Sequence, residues 1–158
     1  MAVEIERKYL VCGDWKPFAV KSMPMVQAYI SSSSGRTVRV RICGPQAFLT
    51  IKGPSGEDGL GRFEWEREIA VEDARELLTI AEPGRIEKTR HLVPAGDGVH
   101  TWEVDEFHGL NEGLVVAEIE LRTPGDSFPR PSWLGKEVTG DRRYYNSALS
   151  KLPFTLWK

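Results

Sequence analysis

Hydrophobic and polar residues alternate with a period of two in eight segments of the chain. Because successive side chains of a strand point to opposite faces, this alternation predicts half-buried β-strands. Turn-forming glycine, proline and serine residues lie between several of the segments. The predicted strands are Val3–Val11, Val26–Ser31, Thr37–Cys43, Ala47–Lys52, Arg62–Val71, Arg85–Val93, His100–Phe107 and Val115–Arg122.

Helical patterns are confined to two short segments. Glu72–Leu78 is predicted as a helix, and Asp141 as the N-cap of a last helix over Arg142–Leu149. Many antiparallel strands with short turns predict a barrel or a sandwich, and eight strands can close a barrel with an interior. The length of 158 residues suits one domain, so we expect a mainly β, α+β protein with a single domain over residues 1–158.

Most predicted strands carry charges on one face and apolar residues on the other. A half-buried sheet usually exposes such charges to solvent, and periodicity alone does not decide whether the ionic faces point outward or into a cavity. The charges, however, are segregated by sign along the strands. The pairs at i and i+2 are Glu4 and Glu6, Arg39 and Arg41, Glu64 and Glu66, Lys88 and Arg90, Glu103 and Asp105, and Glu118 and Glu120.

Like charges on one face of a sheet repel each other unless opposite charge lies between them. Basic pairs facing acidic pairs across a cavity would be stabilised by a polyanion and metal ions. Arginine and lysine bind phosphate oxygens, and paired carboxylates bind hard cations such as Mg²⁺. The pattern therefore indicates a site for phosphoryl transfer.

The order of these pairs resembles the CYTH domain family, also called the triphosphate tunnel metalloenzymes. The opening Glu4-Ile5-Glu6-Arg7-Lys8 is similar to the ExExK signature of the family, and the later pairs recur in the family's order. Thr50-Ile51-Lys52-Gly53 and the tail from Trp133 to Thr139 also resemble short bacterial members. The resemblance covers nearly the whole chain. It implies an eight-stranded antiparallel closed β-barrel tunnel with a charged lumen and a few covering helices.

The resemblance also implies roles for individual residues. It implies that Glu4, Glu6 and Glu120 bind a first metal ion, with Glu118 and Asp105 as candidates for a second metal or its water. The expected phosphate-binding residues are Lys8, Arg39, Arg41, Lys52, Lys88 and Arg90. Residues expected to orient these cations are Glu64, Glu66 and Glu103. Tyr29 is a candidate for positioning water beside Lys88, with a structural role equally open, and Arg62 and Glu68 are expected as rim charges.

The function implied by the resemblance is hydrolysis of inorganic triphosphate to pyrophosphate and phosphate with Mg²⁺ or Mn²⁺, as in the compact bacterial members. Within the family, thiamine triphosphatase and class IV adenylate cyclase activities are alternatives. A further alternative is a non-catalytic module that binds polyphosphate without cleaving it. The complete carboxylate pairs favour an enzyme, because binding of a polyanion requires only the cations.

Global charge and hydropathy limit the expected partners. The formal net charge of -2 gives no reason to expect nucleic acid or an anionic membrane as a partner. The N-terminus is charged within its first residues, and no apolar run approaches the roughly 18 residues of a membrane span. We therefore expect a cytoplasmic protein with a small-molecule partner, and a homodimer stays open.

Overall fold

A computed structural model describes residues 3–57 and 60–157. The strands in chain order are β1 (Val3–Val11), β2 (Lys21–Ser31), β3 (Thr37–Cys43), β4 (Gln46–Lys52), β5 (Gly61–Ile69), β6 (Ile86–Pro94), β7 (Thr101–Phe107), β8 (Val115–Glu120) and β9 (Leu134–Glu137). The two α-helices are α1 (Val71–Leu78) and α2 (Asn146–Leu149). The strand order is β5-β4-β3-β2-β6-β7-β8-β1-β9, and β5 also pairs with β1. The first eight strands therefore form the closed antiparallel barrel that was predicted.

Strand β1 closes the barrel because it pairs with different strands along its length. Its first part, Val3 to Ile5, pairs with β5, and Glu6 to Leu10 pair with β8. This register places Glu6 opposite Glu120, and Lys8 opposite Glu118. The charged faces of neighbouring strands therefore meet on the inside of the barrel.

The apolar faces of the strands form the core outside the barrel. Helix α1 packs its buried Ala74 with Val40 and Ala47 of the sheet. The largest cluster surrounds the fully buried Trp102 and is covered mainly by connecting segments that carry Trp15 and Trp133. In the described ranges, no helix is long and apolar enough to cross a membrane.

The structure differs from the prediction at β2, at β9 and at the last helix. Strand β2 begins at Lys21 rather than Val26; before Met25 it pairs only with β6, so Pro24 lies on an edge where proline is tolerated. Strand β9 was not predicted, because Leu-Gly-Lys-Glu shows no alternation. A Cβ at its Gly135 would lie 2.9 Å from the Leu10 carbonyl oxygen, so this close pairing requires glycine.

The predicted last helix is two short pieces. Asp141 caps as expected, accepting a hydrogen bond from the backbone N–H of Arg143 at 3.2 Å. A 3₁₀ turn over Arg142–Tyr144 follows, Tyr145 is extended, and α2 starts only at Asn146. The break at Tyr145 brings this part of the chain to the charged interior.

Candidate active site

A cavity of about 230 Å³ lies inside the barrel and is lined by the charged faces of the strands. We call it the tunnel cavity. Asp105, which is 1% exposed, is absent from the described lining, and so is the predicted rim residue Glu68, whereas Arg62 is part of it. All other predicted site residues line the cavity, namely Glu4, Glu6, Lys8, Tyr29, Arg39, Arg41, Lys52, Glu64, Glu66, Lys88, Arg90, Glu103, Glu118 and Glu120.

Asp105 holds two cations of the neighbouring strand. Its Oδ2 accepts hydrogen bonds from Lys88 Nζ at 2.7 Å and Arg90 Nη2 at 2.9 Å, and its Oδ1 accepts from Arg90 Nε at 2.8 Å. Burial raises the pKa of Asp105, but the charges of Arg90 and Lys88 outweigh burial and hold this pKa well below its usual range. Glu103 accepts from Arg90 Nη1 at 2.9 Å. Both Asp105 oxygens are therefore occupied by cations of the protein.

Lys88 is a buried ammonium with an unusual pKa. Burial lowers the pKa of Lys88, and repulsion by Arg90 and Arg41 lowers it further. Attraction by Asp105 raises it only in part, so the pKa is about 7. Lys88 also donates to Asn146 Oδ1 at 3.1 Å. A lysine that titrates near neutral pH can gain or lose a proton during a reaction.

The carboxylates of β1 and β8 are partnered unequally. Glu118 lies 3.4 Å from Lys8 Nζ, whereas Glu6 and Glu120 face each other with no ion pair to a described lysine or arginine. Burial and the charges of Glu118 and Glu4 raise the pKa of Glu6 well above its usual value. Burial and the charge of Glu4 also raise the pKa of Glu120. Lys52 and Lys8 favour the ionised form of Glu6, and Lys52 that of Glu120, but these attractions are weaker than the causes that raise the two pKa values.

Glu4 and Glu64 share the cation Lys52. Lys52 Nζ lies 2.7 Å from Glu4 Oε2, an ion pair without hydrogen-bond geometry, and 3.4 Å from Glu64 Oε2. Burial raises the pKa of Glu4, but the charge of Lys52 is the largest of the causes that outweigh burial and lower the pKa to about 2. Burial and the adjacent Glu4 raise the pKa of Glu64 to about 7. Glu64 is therefore the carboxyl of this pair that is protonated more readily.

The arginines of β3 have few acidic partners. Arg39 Nη2 donates to Thr50 Oγ1 at 3.2 Å and lies 3.6 Å from Glu66, while its buried Nε has no hydrogen-bond partner in the described chain. Arg41 Nε donates to the neutral Gln27 at 2.9 Å, and no carboxylate of the described residues forms an ion pair with it. Burial and the charges of Arg39 and Arg90 lower the pKa of Arg41 to about 9, which leaves it positive at pH 7. Both arginines thus keep donors available for an anion.

Sequence reasoning missed the residues that the C-terminal segment, residues 139–147, adds to the cavity. Tyr145 places its ring 5.0 Å from Lys8 Nζ and its hydroxyl 3.1 Å from Ser55 Oγ. Asn146 also lines the cavity and contacts Gln27, which sequence reasoning missed as well. Gln27 could have been found, because it lies two residues before Tyr29 on the same face of β2. No local signal marks Asn146, because its contacts are far away in sequence.

Comparison with known proteins agrees with this geometry. The CYTH domain profile matches residues 2–155. The chain belongs to the CYTH family.

Two relatives and one solved structure are similar to this CYTH chain over nearly all of its length. An inorganic triphosphatase of Acetivibrio thermocellus is 45% identical over 159 residues, which cover 100% of this chain and 99% of the relative. An inorganic triphosphatase of Nitrosomonas europaea is 35% identical over 150 residues, which cover 93% of this chain and 96% of the relative. A crystal structure of an inorganic triphosphatase is 34% identical, superposes with a TM-score of 0.66, and covers 92% of this chain and 96% of its own. The resemblance inferred from the ordered charge pairs is confirmed.

The carboxylates of this CYTH chain suit a divalent cation by their chemistry. Within residues 3–57 and 60–157, no three acidic, histidine or cysteine side chains are already gathered as a metal site. Glu6 and Glu120 nevertheless offer hard oxygen donors at directly opposed positions, and no described lysine or arginine forms an ion pair with them. Hard divalent cations prefer such donors, so a cation bound between these strands would offset the repulsion of Glu6 by Glu118 and Glu4.

Proposed function

We propose that this chain hydrolyses inorganic triphosphate to pyrophosphate and phosphate inside the tunnel cavity, with Mg²⁺ or Mn²⁺ as cofactor. The observation that carries the proposal is the unmatched charge of the lining. Arg39 and Arg41 keep donors without strong acidic partners, while Glu6 and Glu120 keep carboxylates without basic ones. A polyanion with a divalent cation supplies both missing charges. The names of the two curated relatives support this assignment.

The cations of the cavity would bind the phosphate oxygens. Arg39 and Arg41 offer multi-donor contacts, since a guanidinium has five N–H donors and few are used here. Lys8 and Lys52 are held by Glu118 and Glu4, and Arg90 by Asp105, which fixes their positions in the lining. A preorganised set of cations stabilises the charge that shifts towards the leaving pyrophosphate.

Glu4, Glu6 and Glu120 are the residues that we expect to hold the metal, with Glu118 as a further candidate. Lysines already contact two of these four carboxylates, Lys52 at Glu4 and Lys8 at Glu118. A bound divalent cation would neutralise charge on the phosphate oxygens and orient them. Asp105 has no free oxygen for this task, and we propose that it positions Lys88 and Arg90 instead.

Lys88 is the group that we expect to move a proton. Its pKa of about 7 suits general acid–base catalysis at neutral pH. In hydrolysis, a water oxygen forms a bond to a terminal phosphorus, the P–O bond to pyrophosphate breaks, and the neutral amine of Lys88 would accept the water proton. Tyr29 lines the same cavity, and we retain it as a candidate for orienting the water.

The cavity favours an inorganic substrate over a nucleotide or thiamine triphosphate. Its volume of about 230 Å³ is below the range of about 300–1,000 Å³ that is usual for larger organic ligands. Leu60, Tyr29 and Tyr145 are the only apolar or aromatic side chains in the described lining. A base, ribose or thiazole would find little apolar surface here. A module that only binds polyphosphate would require the cations of the lining but not its paired carboxylates.

A phosphate-release assay tests the proposal. The purified chain is incubated with inorganic triphosphate, ATP, thiamine triphosphate or longer polyphosphate, each with Mg²⁺, Mn²⁺ or excess chelator. We expect hydrolysis of inorganic triphosphate to be the fastest and to stop after chelation. Full hydrolysis after exhaustive chelation would reject the metal, and a faster organic substrate would reject the substrate assignment.

A further inference from the structure

Asn146 connects the C-terminal segment to two strands of the barrel. Its Oδ1 accepts hydrogen bonds from Lys88 Nζ of β6 and from Gln27 Nε2 of β2, each at 3.1 Å. Asn146 is half-buried and lines the tunnel cavity, whereas Gln27 is fully buried. One amide oxygen therefore serves two donors at the cavity wall.

The orientation of the Asn146 amide follows from a chain of hydrogen bonds that starts at Arg41. An arginine can only donate, so Arg41 Nε, 2.9 Å away, fixes the oxygen of Gln27 towards itself. The amide nitrogen of Gln27 must then face Asn146, which in turn must present its oxygen. If the Asn146 amide were flipped, its NH₂ group would face the NH₂ group of Gln27, and neither can accept a hydrogen bond. The exchanged assignment of oxygen and nitrogen, which is often possible for asparagine, is therefore excluded here.

The amide nitrogen of Asn146 is left as a donor. It forms no hydrogen bond with any residue in the described ranges, and it is not among their fully buried unpartnered atoms. We propose that Asn146 Nδ2 donates a hydrogen bond to a phosphate oxygen of the substrate, and that Gln27 is the positioning residue that fixes this donor. The inference rests on the proposed function, because it takes inorganic triphosphate as the ligand.

This contact would give the C-terminal segment a direct part in substrate binding. The oxygen of Asn146 is held by Lys88, the residue proposed to move a proton, so the phosphate that Asn146 binds lies beside that lysine. A neutral donor adds affinity here without adding to the positive charge of Lys88, Arg41 and Arg90. Gln27 links the same donor to Arg41, so the two phosphate contacts are positioned together.

Two substitutions separate a phosphate donor from a merely structural asparagine. Asn146→Ala removes both atoms, whereas Asn146→Asp keeps oxygen acceptors for Lys88 and Gln27 but has no N–H. Ser147→Asp places the same negative charge on the adjacent lining residue and controls for charge. The readouts are the Kd of imidotriphosphate with Mg²⁺ by calorimetry, KM and kcat for triphosphate, and the melting temperature.

We expect Asn146→Ala to raise Kd and KM by about tenfold or more with a smaller change in kcat, as for loss of a hydrogen bond to a charged group. Asn146→Asp should bind more weakly than Ser147→Asp. If Asn146 is only structural, Asn146→Asp should bind as well as Ser147→Asp. Either that result, or an Asn146→Ala variant with a Kd within twofold of the wild type, would overturn the proposal.

Gln27→Met tests the positioning role, with Gln46→Met on the exposed end of β4 as the matched control. Because Gln27 acts partly through Asn146, the double variant Gln27→Met with Asn146→Ala should lose less affinity than the product of the two single losses. Full multiplicativity would reject the link between them. A chain that binds imidotriphosphate in this pattern but releases no phosphate would refute the proposed function while leaving this inference intact.

Discussion

Asp105 and Glu6 are both carboxylates of the barrel, yet the protein supplies counter-charges to only one of them. Asp105 accepts three hydrogen bonds from Lys88 and Arg90. Glu6 faces Glu120 across the β1–β8 ladder, and no described lysine or arginine forms an ion pair with it. The pKa values follow this difference, because that of Asp105 is lowered and that of Glu6 is raised.

The basic residues show the same contrast. Arg90 is held by Asp105 and Glu103, whereas Arg41 donates its hydrogen bond to the neutral Gln27 and forms no ion pair with a described carboxylate. Burying a charge without a partner is costly, so such positions are expected where a ligand provides the partner. The comparison therefore separates charges that the protein itself pairs from charges that we propose to be paired by a substrate or a metal ion.

Removing the charge of Asp105, which the protein itself pairs with two cations, should have the largest effect on stability. Asp105→Asn leaves Arg90 and Lys88 buried without their common carboxylate, and breaking a buried ion pair in this way costs about 3–5 kcal/mol. We expect a large fall in the free energy of unfolding, measured by urea denaturation. Glu120→Gln is the control and should remain close to the wild type. An Asp105→Asn variant as stable as that control would refute the comparison.

Removing the carboxylate of Glu6, which forms no ion pair with a described lysine or arginine, should affect activity rather than stability. We expect Glu6→Gln to reduce triphosphate hydrolysis by about a hundredfold, because the metal would lose a charged ligand worth several kcal/mol in the transition state. Melting without metal should be unchanged or higher, since repulsion from Glu4 and Glu118 is removed. Near-normal turnover at saturating Mg²⁺ would show that Glu6 is not a ligand.

The sequence predicted which residues share a face but not which of them pair. The period of two placed Glu4 with Glu6 and Arg39 with Arg41, and the family resemblance placed those faces inside the barrel. The contact between Arg90 and Asp105 depends on the register of β6 against β7. Register is set by turns and by packing across the whole sheet, so the single sequence did not show that Asp105 would be fully engaged.

The C-terminal segment escaped prediction for a different reason. A cap at Asp141 and helix-compatible residues after it favoured one continuous helix, and local preferences contain nothing that breaks the helix at Tyr145. The extended Tyr145 packs its ring near Lys8 and Arg62 of the barrel. Tertiary contacts therefore override local helix propensity here, as they often do in short segments.

The unmatched arginine provides a test of intermediate size. We expect Arg41→Ala to raise the KM for triphosphate by roughly 10–100-fold, the cost of losing hydrogen bonds to a charged group, with a melting temperature near that of the wild type. Arg41→Lys should recover only part of the affinity, because an ammonium lacks the planar fork. The neighbouring Val40→Asp should instead disrupt folding, since Val40 is fully buried on the opposite face. A silent Arg41→Ala would mean that this face does not bind substrate.

The smallest expected effect is the dependence of stability on pH in the metal-free protein, and it too distinguishes the two groups. Carboxyls with raised pKa values, including Glu64 at about 7, bind more protons in the folded than in the unfolded state, so they lower stability as pH rises from about 4.5 to 7. Asp105 and Glu118 have lowered pKa values, so the stability that they contribute is present above their unfolded pKa values and is lost as pH falls below about 4. The contribution of these carboxyls to stability should therefore be highest near pH 5, whereas the lowered pKa of Lys88 makes its own contribution rise with pH above about 7.

Glu64→Gln isolates one part of this pH profile, because it removes a titrating group and keeps the side-chain shape. With chelator present, we expect the wild-type melting temperature to fall by about 2–4 °C between pH 5 and 7, as for a change of about 1 kcal/mol in a chain of this size. His100, held by Asp97 and Asp126, also has a raised pKa and contributes a fall in the same direction near neutral pH. That contribution is common to wild type and variant, so the difference between their profiles reports Glu64 and its effect on the adjacent Glu4. Identical profiles would show that the pKa of Glu64 is not raised in the folded protein and that Glu4 does not favour the protonated form of Glu64. A flatter profile for Glu64→Gln would instead support an excess of negative charge beside Lys52, which is the condition that a bound cation would relieve.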